Sequence, residues 1–263
     1  MSNVTKLVIP VAGLGLRLRP LTLTTPKNLL PLGGKPIVEY ALEEAVRSGI
    51  ATVVLVISPE HRAQYETYLA NIADRFAVLK LHLREQAEPL GHGDAVLKCQ
   101  DLLDADPFLV RFPDDLYPGA PPITTVLVNA YERLSAPVVL LEHTPWEEVS
   151  RYGVIQPEAV PGEGVETYQV KGVVEKPPRE LAPSNLTIRG GYILDAYLLQ
   201  ALRDHAGQVK PGLPDSVLIG DALQKAIEQG CRIFGIEPGR KRLDCGSLAG
   251  YYAAEEAMRI NSA

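Results

Sequence analysis

Cysteine and long apolar runs are both scarce in this chain, and each scarcity narrows what it can be. The 263 residues contain three cysteines, Cys99, Cys231 and Cys245, far apart, with no Cys-x-x-Cys pair and no histidine at metal-ligand spacing. That pattern supports neither a disulfide framework nor a zinc site. No apolar run reaches the roughly 18 residues of a membrane-spanning helix. Met1 to Lys6 lead into the first apolar run without the long hydrophobic region and small-residue cleavage site of a secretory leader. A cytoplasmic location with no membrane partner is expected. Positive charge is not in excess either. A net charge of −6 argues against a nucleic-acid partner, because such a protein needs a basic surface to displace counterions from phosphate. Neither an internal repeat nor a low-complexity tract is visible.

What is present is material for a full core, at 46% hydrophobic and 22% charged residues. Residues 7–12 and 51–57 are apolar, partly β-branched runs without polar alternation, which suits parallel strands buried on both faces. Between them, residues 36–49 carry Ile37, Tyr40, Ala41 and Ala45 at helical spacing, with proline at the start and glycine just past the end. Further strands are expected over 76–83, 108–112 and 137–142, and helices over 93–103, 124–134, 196–204 and 221–229. Alternation of strand and helix points to a doubly wound α/β class. The expected organisation is a single domain, residues 1–263. Two halves are expected within it, about 1–145 and about 146–263, divided where the composition shifts to glycine, proline and short strand-like pieces.

Chemistry enters directly after the first strand. Gly13 and Gly15 let backbone N–H groups approach an anion, and Arg17, Arg19 and Lys27 follow with full charges. A dinucleotide fingerprint would need a third glycine where Leu18 stands, and a Walker A loop would need Gly-Lys-Ser/Thr where Gly15-Leu16-Arg17 stands. Taken alone, the two glycines are equally compatible with an ordinary strand-to-helix turn. Lys27, set between Pro26 and Pro31 in an otherwise apolar loop, weighs toward the phosphate reading.

These residues carry a resemblance. Gly13, Gly15 and Arg17, followed by Pro26, Lys27, Leu30 and Pro31, resemble the paired signature of the bacterial sugar-nucleotide pyrophosphorylases. Within that family the chain resembles the UTP:glucose-1-phosphate uridylyltransferases nearly end to end. Four further segments match: Glu85-Gln86 leading to residues 90–96; Phe112-Pro113-Asp114; Tyr152-Gly153-Val154 with Val174-Glu175-Lys176-Pro177; and Asp244-Cys245-Gly246. Residues 182–186, ahead of Gly190-Gly191-Tyr192, resemble the uridylyl branch in particular. Leu16 stands where the family usually has threonine, and Asn28 where the uridylyltransferases commonly have glutamate.

The resemblance implies a Rossmann-like α/β fold of the nucleotide-diphospho-sugar transferase type, a mixed, mostly parallel sheet flanked by helices. It implies that UTP and glucose 1-phosphate give UDP-glucose and pyrophosphate, by in-line attack on the α-phosphorus without an enzyme nucleophile. Arg17 would hold the departing phosphates and Lys27 the phosphates around the reacting phosphorus. Ala12, Gly13, Gly15, Gln86 and Gly91 would hold the nucleotide. Gly153, Glu175, Lys176 and Gly191 would form the sugar-phosphate side. Asp114 and Asp244 would bind Mg²⁺, which takes few protein oxygens and keeps water and phosphate ligands, with Asp115 as a competitor for Asp114. A homo-oligomer is also implied. Gln86 alone could equally be a surface amide, and Glu175-Lys176 a solvated pair. The histidines, His92 among them, form no catalytic constellation, and Cys245 reads as a buried neighbour of Asp244. A thymidylyltransferase, or a silent sugar-nucleotide sensor prompted by Leu16, are the rival readings; a nicotinamide-dependent dehydrogenase is disfavoured by Leu18.

Overall fold

The apolar runs become the centre of a nine-stranded sheet. The structure, a computed structural model, describes residues 4–103, 106–162, 165–210 and 212–260; the ends of the expected 1–263 unit, 1–3 and 261–263, lie outside the described residues. In chain order β1 (Lys6–Pro10) leads to the short strands β2 (Pro31–Leu32) and β3 (Lys35–Pro36). Next come α1 (Ile37–Arg47), β4 (Thr52–Ile57), α2 (Arg62–Ile72) and β5 (Lys80–Glu85). Helices α3 (His92–Leu97) and α4 (Gln100–Leu103) precede β6 (Phe108–Arg111), β7 (Asp115–Leu116), α5 (Ile123–Leu134) and β8 (Val138–His143). The remaining elements are β9 (Gly153–Ala159), β10 (Glu166–Glu175), β11 (Leu186–Leu194), α6 (Ala196–Ala206), α7 (Ile219–Glu228), β12 (Phe234–Glu237), β13 (Leu243–Asp244) and α8 (Leu248–Ile260).

The sheet order is β5-β4-β1-β6-β11-β8-β12-β10-β9. Strands β5, β4, β1 and β6 pair in parallel, as do β8 and β12. Strand β11 runs antiparallel to β6 and β8, and β10 antiparallel to β12 and β9. The fold is the Rossmann-like, mixed α/β class, with its longest parallel run in the first half of the chain. Helices cover both faces and two apolar clusters fill them, one around Val8, Phe108, Leu141 and Leu223, the other around Leu7, Leu42, Leu55 and Leu127.

Two element boundaries depart from the sequence pattern. The strand expected from residue 76 begins at Lys80, because Phe76 and Leu79 are buried in the turn beneath the second cluster. Their apolar character reflects core packing. The helix expected over 93–103 divides into α3 and α4, where Cys99 N–H donates back to Val96 O and Leu102 N–H to Cys99 O. Such three-residue bonds tighten the chain into a 3₁₀ turn.

A third, smaller cluster positions the glycine loop. Leu18, Leu30, Leu32, Ile37, Leu116, Cys245, Tyr251 and Ala254 pack together. Leu18 is fully buried while its neighbour Leu16 is 56% exposed. Burying a leucine contributes about 1.5–3 kcal/mol, enough to pin the centre of the loop and leave its flanks free to meet a ligand.

Candidate active site

At the C-terminal end of β1 the loop bends over a cleft of about 860 Å³. Ala12, Gly13, Gly15, Arg17, Lys27, Gln86, Gly91, His92, Asp114 and Gly246 all line it. Crevices outside the carboxyl ends of parallel strands are where α/β sheets bind ligands. Gly15 sits at φ +61°, a left-handed conformation that favours glycine, and caps a short 3₁₀ turn over Leu16–Leu18. Thr22 Oγ1 donates to Gly15 O at 2.9 Å and braces the turn. A side chain on Gly15 would also press on Lys27 Cβ at 3.1 Å, so loop and lysine are held against each other.

The charged groups meet at Gly246. A Cβ built there would lie 2.8 Å from Asp244 Oδ1, 3.3 Å from Arg17 Nη2 and 3.4 Å from Asp114 Oδ2. Lys27 Nζ donates to the same Asp114 Oδ2. Asp244 is brought to this point by the pairing of β13 with β7, which sets it opposite Asp115. The backbone helps as well, with Cys245 N–H donating to Asp114 O at 2.8 Å and Gly246 N–H to Asp244 Oδ1 at 2.7 Å.

Asp114 and its neighbour Asp115 have separate duties. Asp115 accepts from Gly190 N–H at 3.0 Å and from Arg242 Nη1 at 2.6 Å, so both of its oxygens are engaged. Burial raises the Asp115 carboxyl above the ordinary range in spite of Arg242. Arg242 also reaches Glu142 at 2.9 Å and Asp244 Oδ2 at 3.1 Å. Burial opposes ionisation of Asp244, yet Arg242 and the Gly246 N–H hold its carboxyl below the usual value. Two carboxylates, Asp114 and Asp244, therefore face one small space with hard oxygens. That donor set suits Mg²⁺ completed by phosphate and water. Among the described residues no group of three or more His, Cys, Asp and Glu forms a protein-only metal cage. Cys245 is fully buried, and burial pushes its thiol up to about 12, unsuited to a nucleophile.

Among the expected nucleotide contacts, Gln86 follows β5 and is 8% exposed, so it is not a surface amide. Its Nε2 donates to Gly91 O at 2.9 Å and to Asp94 Oδ2 at 2.8 Å, which leaves Oε1 as the free acceptor. Gly91, at φ +116°, stands 2.6 Å from Val217 O at its would-be Cβ, so only glycine fits there.

The sugar-side candidates divide. Glu175, at the end of β10, is largely buried between Gly153 and Gly220, whose added Cβ atoms would lie 2.8 and 2.2 Å from its Oε2. Burial, and then Asp221, raise its carboxyl to about 7. Lys176, at φ +47°, reaches Asp215 Oδ2 at 3.5 Å, and Asp215 lines the cleft. The two expected glycines both stand against protein groups. Gly153 leaves room for the Glu175 carboxyl. A Cβ built on Gly191 would lie 3.0 Å from Leu127 and 3.1 Å from Leu140, so its lack of a side chain serves the packing of α5 and β8. The surroundings of Gly220, Asp215, Arg242 and His92 were not legible in the sequence, because each meets a partner distant along the chain.

Fold and site together define an enzyme that handles nucleotide phosphates. The chain belongs to the nucleotidyl transferase family, whose model matches residues 6–260. It is similar to UTP–glucose-1-phosphate uridylyltransferase 2 of Streptococcus pyogenes serotype M3, at 33% identity over 95% of this chain and 89% of the relative. The uridylyltransferase of Bacillus subtilis (strain 168) is 32% identical over 95% and 89%. Among solved structures, a UDP-glucose pyrophosphorylase complexed with UDP-glucose superimposes with a TM-score of 0.85 at 32% identity, over 98% of this chain and 99% of that one. A UTP-bound enzyme of the same type from Acinetobacter baumannii gives 0.79 at 29% identity, over 98% and 94%.

Proposed function

We infer that this chain is a UTP:glucose-1-phosphate uridylyltransferase, joining UTP and glucose 1-phosphate to give UDP-glucose and pyrophosphate. One observation carries the mechanism: Arg17, Lys27, Asp114 and Asp244, from three separate segments, converge at Gly246 at the mouth of the glycine loop. A pure binder has no need of two cations and two carboxylates at one point, and this disfavours the silent sensor. The relatives' substrates support uridylyl transfer to glucose 1-phosphate over thymidylyl transfer.

In this reading the triphosphate lies over the Gly13–Gly15 backbone, with Arg17 on the phosphates that leave. Lys27 exchanges Asp114 for the α-phosphate as charge builds there, a preorganised stabilisation that operates only in the transition state. Asp114 and Asp244 would hold Mg²⁺, which supplies positive charge to the phosphate oxygens when bound. Gln86 Oε1 accepts from the N3–H of uracil, a donor that cytosine lacks. Glu175 accepts from sugar hydroxyls and Lys176 meets the sugar phosphate. The nucleotide half, about 1–145, and the sugar half, about 146–263, share one domain. The same reading carries a cytoplasmic location and a homo-oligomer; no helix among the described residues is long and apolar enough to cross a membrane.

The test is pyrophosphate release with Mg²⁺, crossing UTP, dTTP, CTP, ATP and GTP against glucose, galactose and mannose 1-phosphates, with an EDTA control. UTP with glucose 1-phosphate is expected to be the best pair and EDTA to stop turnover. A different best pair would reassign the substrates, and no turnover with any pair would overturn the reading.

A further inference from the structure

One cleft residue has no part in the mechanism above. His92 opens α3, lines the cleft and packs its ring against Phe112 and Tyr192, at centroid distances of 5.4 and 6.4 Å. Its Nδ1 accepts the Ile219 N–H at 3.3 Å. A backbone N–H can only donate, so Nδ1 must be the unprotonated nitrogen and the proton of a neutral ring must sit on Nε2. Burial, and then the charge of Lys176, hold His92 down at about 4, so the ring is neutral near pH 7. Nε2 has no hydrogen-bond partner among the described residues.

The ring is also fixed in place from both sides. The segment before α3 is zipped to the segment before α7: Asp215 N–H donates to Pro89 O at 3.0 Å, Val217 N–H to Leu90 O at 2.8 Å and Gly93 N–H to Val217 O at 2.9 Å. The imidazole therefore stands where the nucleotide loop meets the elements carrying Lys176, Asp215 and Glu175. A phosphate entering this region has the Lys176 ammonium as its stronger partner. A neutral N–H is matched to a neutral acceptor, and in the proposed reading the sugar hydroxyls are the neutral acceptors beside Lys176 and Glu175.

We propose that His92 is a specificity-determining residue for the sugar 1-phosphate, donating its Nε2–H to a hydroxyl oxygen of the hexose. The proposal rests on the sugar-nucleotide reading above. It assigns this chain a hexose contact made by a tautomer that Ile219 enforces.

The test compares His92→Leu, which removes the donor, with His92→Gln, whose amide N–H reaches the position of Nε2. The leucine variant raises KM for glucose 1-phosphate about tenfold and leaves KM for UTP within about twofold, and the glutamine variant recovers most of the loss. A rise in both constants together, a rise for UTP alone, or no change in either overturns the proposal. In the wild-type protein, long-range ¹H–¹⁵N correlations of the imidazole are expected to show the Nε2–H tautomer, with the Nε2 resonance moving on addition of glucose 1-phosphate. The opposite tautomer, or an unmoved resonance, overturns it without any variant. Failure of the wild-type chain to turn over any hexose 1-phosphate defeats the underlying reading, whereas normal wild-type turnover with an unaffected leucine variant defeats this proposal alone.

Discussion

Arg242 donates from Nη1 to Asp115 Oδ1 at 2.6 Å across the β7–β13 pair, joining two groups 127 residues apart in sequence. The same guanidinium spans Glu142 and Asp244. It neutralises the enclosed Asp115 and leaves Asp114 as the carboxylate turned toward the cleft. Arg242→Ala is expected to strand Asp115, whose side chain is 13% exposed, as an uncompensated buried charge. Losing one partner of a buried pair costs about 3–5 kcal/mol, so thermal unfolding should move down by several degrees. An unchanged midpoint would mean that Asp115 takes up a proton or water at little cost.

Lys27 acts in a different way. Its ammonium is partly accessible and its stem packs on Gly15, so Lys27→Ala is expected to leave the unfolding midpoint near wild type. Loss of one preorganised donor to a developing oxyanion costs about 2.7–4 kcal/mol of barrier, which is a fall in kcat of about a hundredfold to a thousandfold. Near-normal turnover would remove Lys27 from the reaction.

Glu175 gives the protein a pH signature. Its folded-state value, about 7, lies above the ordinary 4.5. Between these values the folded state keeps a proton that the unfolded chain has lost, so the stability from this group is complete below about 4.5 and is lost as pH rises through 7. The effect is about 2–3 kcal/mol after allowance for partial exposure. Glu175→Gln should unfold close to wild type at pH 5 and at a higher temperature than wild type at pH 8. Scanning both proteins across that range checks it, and a constant gap would contradict it.

In the proposed reading, base choice depends on which way the Gln86 amide points. Asp94 draws Nε2 toward itself and Oε1 is left for the base. Asp94→Asn can accept the amide in either orientation, so the preference for UTP over CTP should fall by about tenfold, the worth of one hydrogen bond. The ratio of kcat/KM values for the two nucleotides measures it.

The glycine loop and its lysine were legible because their information is local. Strand β1, the bend at Gly15 and the lysine between prolines lie within one continuous stretch, and the loop carries them together. The sugar side was legible only in part, since a glycine reports a need for space and not what fills it. Gly153 accommodates Glu175, Gly191 accommodates α5 and β8, and Gly220 was passed over although it stands nearest to the Glu175 carboxyl. Arg242 and His92 looked like ordinary residues because their partners, Asp115 and Ile219, are more than 100 positions away. The apolar stretch from Phe76 misled for a related reason, as a buried turn and a buried strand draw on the same residues.

In the proposed reaction the uridylyl group passes directly between two bound substrates. Following ³¹P resonances of the protein with UTP, glucose 1-phosphate and Mg²⁺ tests it most directly. UDP-glucose and pyrophosphate should appear in equal amounts, and only when both substrates and the metal are present. Release of pyrophosphate from UTP without the sugar phosphate, or UTP left intact in the complete mixture, would contradict the account.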